Sequence, residues 1–336
     1  MDTSRIKKIG VVGAGGWGTA LSVLAADAGC EVVIWGREED VAESINSANE
    51  NTRFLPGVKL PETVVATTDI GGMSDCDLLL VVVPSSGMRP VMGMLSEVGI
   101  RDDVVLVTCA KGIEKESGER MTEVIRELFP ANPVAVLSGP NHAEEVGLRL
   151  AAAAVIGCED MAIAEALQRL LGCGWFRFYT STDVAGIEWS GAVKNVFAVS
   201  AGIANGLGLG DNAKAALVTR GLAEMVRIGI AHGAQAETFQ GLSGVGDLIV
   251  TCYSEHSRNN RLGNLLGSGS SIEEALAQMK SVPEGLPNAE SIYLASQRKS
   301  VRTPLIDAAY AVLYGGRDAR EVLAELLARD PRPEVD

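Results

Sequence analysis

Residues 13–18 read Gly-Ala-Gly-Gly-Trp-Gly, between the apolar run IKKIGVV (6–12) and the helical stretch TALSVLAADAG (19–29). Few folds place this pattern between a strand and a helix. The glycines permit a tight turn and let backbone N–H groups approach a pyrophosphate, while the helix N-terminus faces its negative charge. A second strand, EVVIW (31–35), follows at the distance a βαβ unit needs. In that setting Gly13, Gly15, Gly16, Trp17 and Gly18 read as a dinucleotide cradle. The competing reading is a glycine turn in an α/β protein that binds something else.

The 336 residues suffice for two domains, and 47% of them are apolar. More apolar runs follow in the first half: DLLLVVV (77–83), VVLVT (104–108) and VAVLS (134–138), with helical stretches such as Thr19–Ala28 and Gly118–Leu128 between strands. Strands covered on both faces of a parallel sheet read this way. AAAAVIG (151–157) and WFRFYT (175–180) extend the set. The expectation over residues 1–186 is an α/β, Rossmann-type, doubly wound and mostly parallel sheet. Beyond it, segments 189–205, 213–232, 272–280, 289–298, 304–314 and 318–328 carry helical patterning. A mostly α-helical C-terminal domain is expected over 187–330, with 331–336 as a frayed tail.

Acidic residues outnumber basic ones 43 to 29, for a net charge of −14. Nucleic-acid and anionic-membrane surfaces need a basic footprint, so neither partner is expected. The six cysteines are scattered, with no C-x-x-C pair, and read as reduced thiols. The N-terminus lacks the apolar core of a signal peptide and is too glycine-rich to span a membrane. A cytoplasmic protein without a stable membrane anchor, assembled as a homodimer, is the expectation. The three histidines lack metal-ligand spacing, so no metal site is expected and they read as packing or surface residues.

The second strand ends Trp35-Gly36-Arg37, where an NAD-selective site usually carries an acid. Arg37 can pair with a 2′-phosphate or lie over the adenine, which favours NADPH or dual use of NAD(P)H. The alternative is a surface arginine beside Glu38 and Glu39. Three further strand ends, VVVPSS (81–86), VTCAKG (107–112) and SGPNHAEE (138–145), point to the same crevice. Lys111 is thereby placed to meet a ligand; a solvated lysine at a strand end is the alternative.

The run WSGAVKNVFAVSAGIANGLGLG (189–210) holds one charged side chain, Lys194. On a helix it shares a face with Gly191, Ala198 and Ala201, all small. A lysine desolvated in such a groove loses pKa from ~10.4, and near ~7–8 it becomes a general base for an alcohol. A lysine snorkelling to the surface is the alternative. Asn195 adds a neutral hydrogen-bonding group. Asp247, in an apolar stretch with Thr251 on the same helical face, can orient the lysine or cap its own helix. His256-Ser257-Arg258-Asn259-Asn260-Arg261 reads either as a phosphate cradle or as a polar loop.

Taken in order, GAGGWGTAL, VVVPS, AKGIE, SGPNHAEE, GAVKNVFA, TRGLAEM, GLSGVGDLIVTC, SRNNRLG and PEG resemble the soluble NAD(P)-dependent sn-glycerol-3-phosphate dehydrogenases of bacterial type, over nearly the whole chain. The resemblance implies interconversion of sn-glycerol 3-phosphate and dihydroxyacetone phosphate, supplying phospholipid synthesis. It implies that Lys194 is the proton acceptor and that Lys111 contacts substrate and cofactor. Substrate contacts carry over to Gly139, Asn141, Asp247, Ser257, Arg258 and Asn259, with Thr251 placing the reacting end. Cofactor contacts carry over to Gly16, Trp17, Arg37, Ala143, Arg258, Val282 and Glu284. The chain departs from the family pattern at Gly16, where serine is common, and at Asn141-His142, where Ser/Thr-Phe is frequent. Two other functions share part of the pattern: a lysine-dependent hydroxyacid or ketopantoate-type reductase, and a non-catalytic dinucleotide sensor.

Overall fold

The apolar runs of the first half assemble into one eight-stranded sheet. A computed structural model describes residues 5–279, 281–331, 333 and 334. The strands are β1 Lys8–Val12, β2 Glu31–Trp35, β3 Val64–Thr67, β4 Leu78–Val81, β5 Val105–Thr108, β6 Val134–Ser138, β7 Ala152–Gly157 and β8 Phe176–Ser181. Their order is β3-β2-β1-β4-β5-β6-β7-β8, and every neighbouring pair is parallel except β6 and β7.

β3 falls outside the runs read from sequence. Its four residues, VVAT, alternate buried and exposed on the sheet edge, so no continuous apolar run announces it. The first helix, Gly16–Asp27, starts inside the glycine loop rather than at Thr19. The expected Gly118–Leu128 helix shortens to Met121–Leu128, with Glu123 reaching back to the Arg120 N–H at 2.8 Å.

Strand order reverses between β1 and β4, which opens a crevice beyond their carboxyl ends. After β8, all regular structure among the described residues is helical. Helix Val184–Gly206 is buried on nearly every side, as its apolar circumference requires. Helix Arg258–Gly267 packs against it backbone to backbone. A Cβ added at Gly202 would lie 2.0 Å from the Asn260 carbonyl oxygen, and one at Gly263 would lie 1.9 Å from that of Val199.

Two buried carboxylates fix the start of the long helix. Glu188 accepts hydrogen bonds from Thr122 N (2.8 Å), Thr122 Oγ1 (2.5 Å) and Arg120 Nη1 (2.9 Å), tying the helix to the sheet layer. Asp183 accepts from Gly186 N, Gln235 N and Thr238 Oγ1, tying it to the turn that leads toward Asp247.

Candidate active site

At the near end of the crevice the glycine loop is shaped by what its residues lack. Gly13 has φ +123°, and a Cβ there would lie 2.5 Å from the Val82 carbonyl oxygen. A Cβ on Gly18 would lie 1.9 Å from Gly13 O, whereas one on Gly15 would meet nothing within 4 Å. The loop is thus tight at its two ends and open at Gly15, while a Cβ on Gly16 would lie 2.9 Å from the Phe54 carbonyl oxygen. Gly15 caps the helix without a side chain, so the first-turn N–H groups have no intrahelical partner. Buried Asn51 holds the loop from behind, donating to Ala14 O (2.9 Å) and Thr19 Oγ1 (2.8 Å). Arg37 is exposed on the crevice wall and makes no ion pair or hydrogen bond among the described residues.

The far end holds charges. Lys111, just past β5, donates from Nζ to Asp247 Oδ2 (2.6 Å) and to Gly139 O (3.0 Å). Its backbone carbonyl accepts from Asn195 Nδ2 (3.1 Å) and Asn288 Nδ2 (2.7 Å). Asn195 Oδ1 accepts in turn from Asn259 Nδ2 (2.9 Å), and Asn259 Oδ1 accepts from the Gly285 N–H (2.8 Å). This chain of amides locks Lys111 to three helices.

Asp247 opens helix Asp247–Tyr253 and is 1% exposed. The turn before it, Leu242–Gly246, needs glycine: a Cβ at Gly244 would lie 2.1 Å from Phe239 O. Lys194 reaches Asp247 Oδ1 at 2.9 Å and Thr251 Oγ1 at 2.7 Å. The Thr251 hydroxyl donates to Asp247 O at 2.6 Å, leaving its lone pairs for the lysine. An ammonium has three donors, so one remains for a ligand. Burial pushes the Lys194 pKa down to about 8; Lys111 adds to the lowering, and the Asp247 charge opposes it. Lys111 and Lys194 together hold the Asp247 carboxyl below its ordinary range despite burial.

Past this cluster, Ser257 caps helix Arg258–Gly267, accepting from Asn260 N at 3.2 Å. Arg258 reaches Ser281. Glu284 accepts from Ser85 N (3.2 Å) and Ser85 Oγ (2.7 Å), bridging the loop after β4 to helix Gly285–Arg298. Burial raises its pKa, and the Ser85 bonds and Arg258 oppose that rise.

A sequence profile described as NAD-dependent glycerol-3-phosphate dehydrogenase N-terminus matches residues 8–164, and its C-terminus counterpart matches 183–324. The chain belongs to the NAD-dependent glycerol-3-phosphate dehydrogenase family. Glycerol-3-phosphate dehydrogenase [NAD(P)+] of Bacillus cereus (strain G9842) is 44% identical over 333 residues, covering 98% of each chain. The crystal structure of glycerol-3-phosphate dehydrogenase from Coxiella burnetii superimposes with TM-score 0.93 at 35% identity, covering 96% of this chain and 99% of that one. A ketopantoate reductase from Ralstonia eutropha, at 16% identity, TM-score 0.62 and coverage of 95% and 99%, shares the fold alone.

Within this family frame, the crevice gathers the residues expected from sequence. Gly13, Gly15, Gly16, Trp17, Gly18, Arg37, Lys111, Asn141, Ala143, Lys194, Asn195, Asp247, Thr251, Ser257, Arg258, Asn259 and Glu284 all line it. Gly139 and Val282 do not. Gly139 lends its carbonyl to Lys111, and the Val282 side chain is exposed. The groove expected beside Gly191 is partly filled, because a Cβ there would lie 3.1 Å from Ser138 Oγ and 3.5 Å from Lys111 Cγ. Sequence reading missed Asn51 and Asn288, and had Ser85 only as part of the VVVPSS strand end, without its partner Glu284; these groups acquire meaning once distant segments meet. It read His142 and His256 as packing or surface, yet both line the crevice, with ring centroids 5.7 Å apart. The departure at Asn141-His142 was the available signal.

Proposed function

We propose that this chain interconverts sn-glycerol 3-phosphate and dihydroxyacetone phosphate with a nicotinamide dinucleotide, Lys194 serving as proton acceptor and donor, and so supplies glycerol phosphate for phospholipid synthesis. The observation that carries this reading is the Lys111–Asp247–Lys194 cluster at one end of a crevice whose other end is the glycine loop.

The residues present fit the dinucleotide. Gly15 opens onto empty space where a pyrophosphate would sit, and the first-turn N–H groups of helix Gly16–Asp27 supply its donors. Gly13, Gly16, Trp17 and Gly18 frame that site, Ala143, Arg258, Val282 and Glu284 are assigned to the cofactor, and Arg37 offers a guanidinium to a 2′-phosphate. NADPH is accordingly the favoured form. When bound, the nicotinamide accepts or returns the hydride.

In the oxidising direction the neutral Lys194 amine takes the proton of the substrate hydroxyl. Thr251 and Asp247 hold the amine in place, and Asp247 also fixes Lys111 where its positive charge favours the developing oxyanion. In reduction the Lys194 ammonium returns the proton. Arg258, Ser257 and the N–H groups opening helix Arg258–Gly267 receive the phosphate. Gly139 and Asn141 are assigned to substrate contact, Asn195 holds Lys111 by its backbone carbonyl, and Asn259 holds Asn195. We place the division between cofactor and substrate domains at residues 186 and 187, in the first turn of the helix that carries Lys194, and take the working form to be a cytoplasmic homodimer. Among the described residues no helix is long and apolar enough to cross a membrane.

Steady-state assays with dihydroxyacetone phosphate and NADPH test this reading. Turnover is expected. No turnover there, with turnover of a non-phosphorylated keto acid, moves the chain to the reductase alternative, and cofactor binding without turnover of either makes it a sensor.

A further inference from the structure

We propose that His142 is a further substrate-contacting residue, whose imidazole Nε2 hydrogen-bonds the free terminal hydroxyl of the three-carbon substrate and selects for it. The proposal rests on the phosphorylated-substrate reading of the same crevice.

Among the described residues, the buried side-chain polar atoms without a hydrogen-bond partner are Ser138 Oγ, Asn141 Oδ1, His142 Nε2 and Asn288 Oδ1. Three of these lie on one segment, 138–142, which leaves the carboxyl end of β6. Buried polar groups nearly always find partners, so orphans gathered at one strand end mark where a ligand completes the bonding. Ser138 does not line the crevice; Asn141 does, but its amide nitrogen is held by Ala153 O at 3.1 Å and its unpaired Oδ1 can only accept, whereas an imidazole Nε2 can accept or donate. His142 lines the crevice together with Lys194 and Thr251, and its ring packs against that of His256, in the segment that carries Ser257 and Arg258.

Charge decides which end of the substrate His142 meets. Burial pushes its pKa below the ordinary value; the positive charge of Lys194 and the neighbouring His256 push the same way, against Glu145 and Glu144. A neutral imidazole is a poor partner for a phosphate dianion and a good one for an uncharged hydroxyl. Once Arg258 and Ser257 take the phosphate, and Lys194 takes the reacting oxygen, the terminal hydroxyl is the one polar group of the substrate left unmatched.

The test compares kcat/KM for dihydroxyacetone phosphate and for hydroxyacetone phosphate, which lacks that hydroxyl. The unsubstituted enzyme is expected to favour the former by about 10- to 100-fold. His142→Phe should erase most of that preference by raising KM for dihydroxyacetone phosphate. His142→Gln, which keeps a neutral hydrogen-bonding group, should restore part of it. NADPH binding, followed by fluorescence titration, reports that each variant is folded; if the Phe variant does not bind, the Gln variant decides by keeping or losing the preference. An equal loss on both substrates, or an unchanged preference in His142→Phe, overturns the proposal. Turnover of neither phosphate by the unsubstituted enzyme removes the function itself, and this contact with it, before any variant is made.

Discussion

The two ends of the crevice are built in opposite ways. The glycine loop works by missing side chains: its free donors are backbone N–H groups, and it is tight at Gly13 and Gly18 and open at Gly15. The lysine cluster works by added charge: Lys111, Asp247 and Lys194 come from three distant segments, and each lysine stands within 3 Å of the one carboxylate. A methyl group breaks the first. Loss of a charge breaks the second. A site made of backbone tolerates any chemistry that leaves its space empty, whereas a site made of buried charge depends on every partner being present.

The sharpest break is Lys194→Ala. It should lower kcat by roughly 10³-fold or more while leaving NADPH affinity within a few-fold, read by steady-state kinetics beside fluorescence titration. Next is Gly18→Ala at the other end, where the new Cβ meets backbone that has no room to yield. Cofactor affinity should fall by about 100-fold, with stability lost in thermal melts. Asp247→Asn should come third. The Asp247 charge raises the Lys194 pKa, so its removal lowers that pKa below about 8 and shifts the oxidation profile to lower pH. A loss of kcat of about tenfold should accompany the shift, because a neutral amide holds two lysines less firmly. The smallest effect belongs to Arg37→Ala, which should raise KM for NADPH by about tenfold and spare NADH. Equal weakening of both cofactors would place Arg37 over the adenine instead.

The same contrast explains what the sequence discloses. The loop was legible because its chemistry is contiguous: strand, glycines and helix stand in one stretch, and the φ of Gly13 and the closeness of Gly18 follow from that pattern. Lys194 was legible because one charge in an apolar run is conspicuous. Its partner Asp247 was legible as a candidate, but the bridge to Lys111 was not, since only the fold brings residues 111 and 247 together. Asn51 and Asn288 carried no local sign, and Ser85 stood in the VVVPSS strand end without its partner; the bonds of Asn51, Ser85 and Asn288 span 37, 199 and 177 positions. β3 was missed because a short edge strand buries one face only.

If burial makes Lys194 a base near neutral pH, the pH dependence of glycerol 3-phosphate oxidation carries its signature. A lysine lowered to about 8 is increasingly neutral above that pH, so kcat/KM for oxidation should climb and level off with a break near 8, while reduction of dihydroxyacetone phosphate should decline above the same break. A break near the ordinary lysine value of ~10.4, or the same profile persisting at undiminished rate in Lys194→Ala, would mean that a buried Lys194 is not the base.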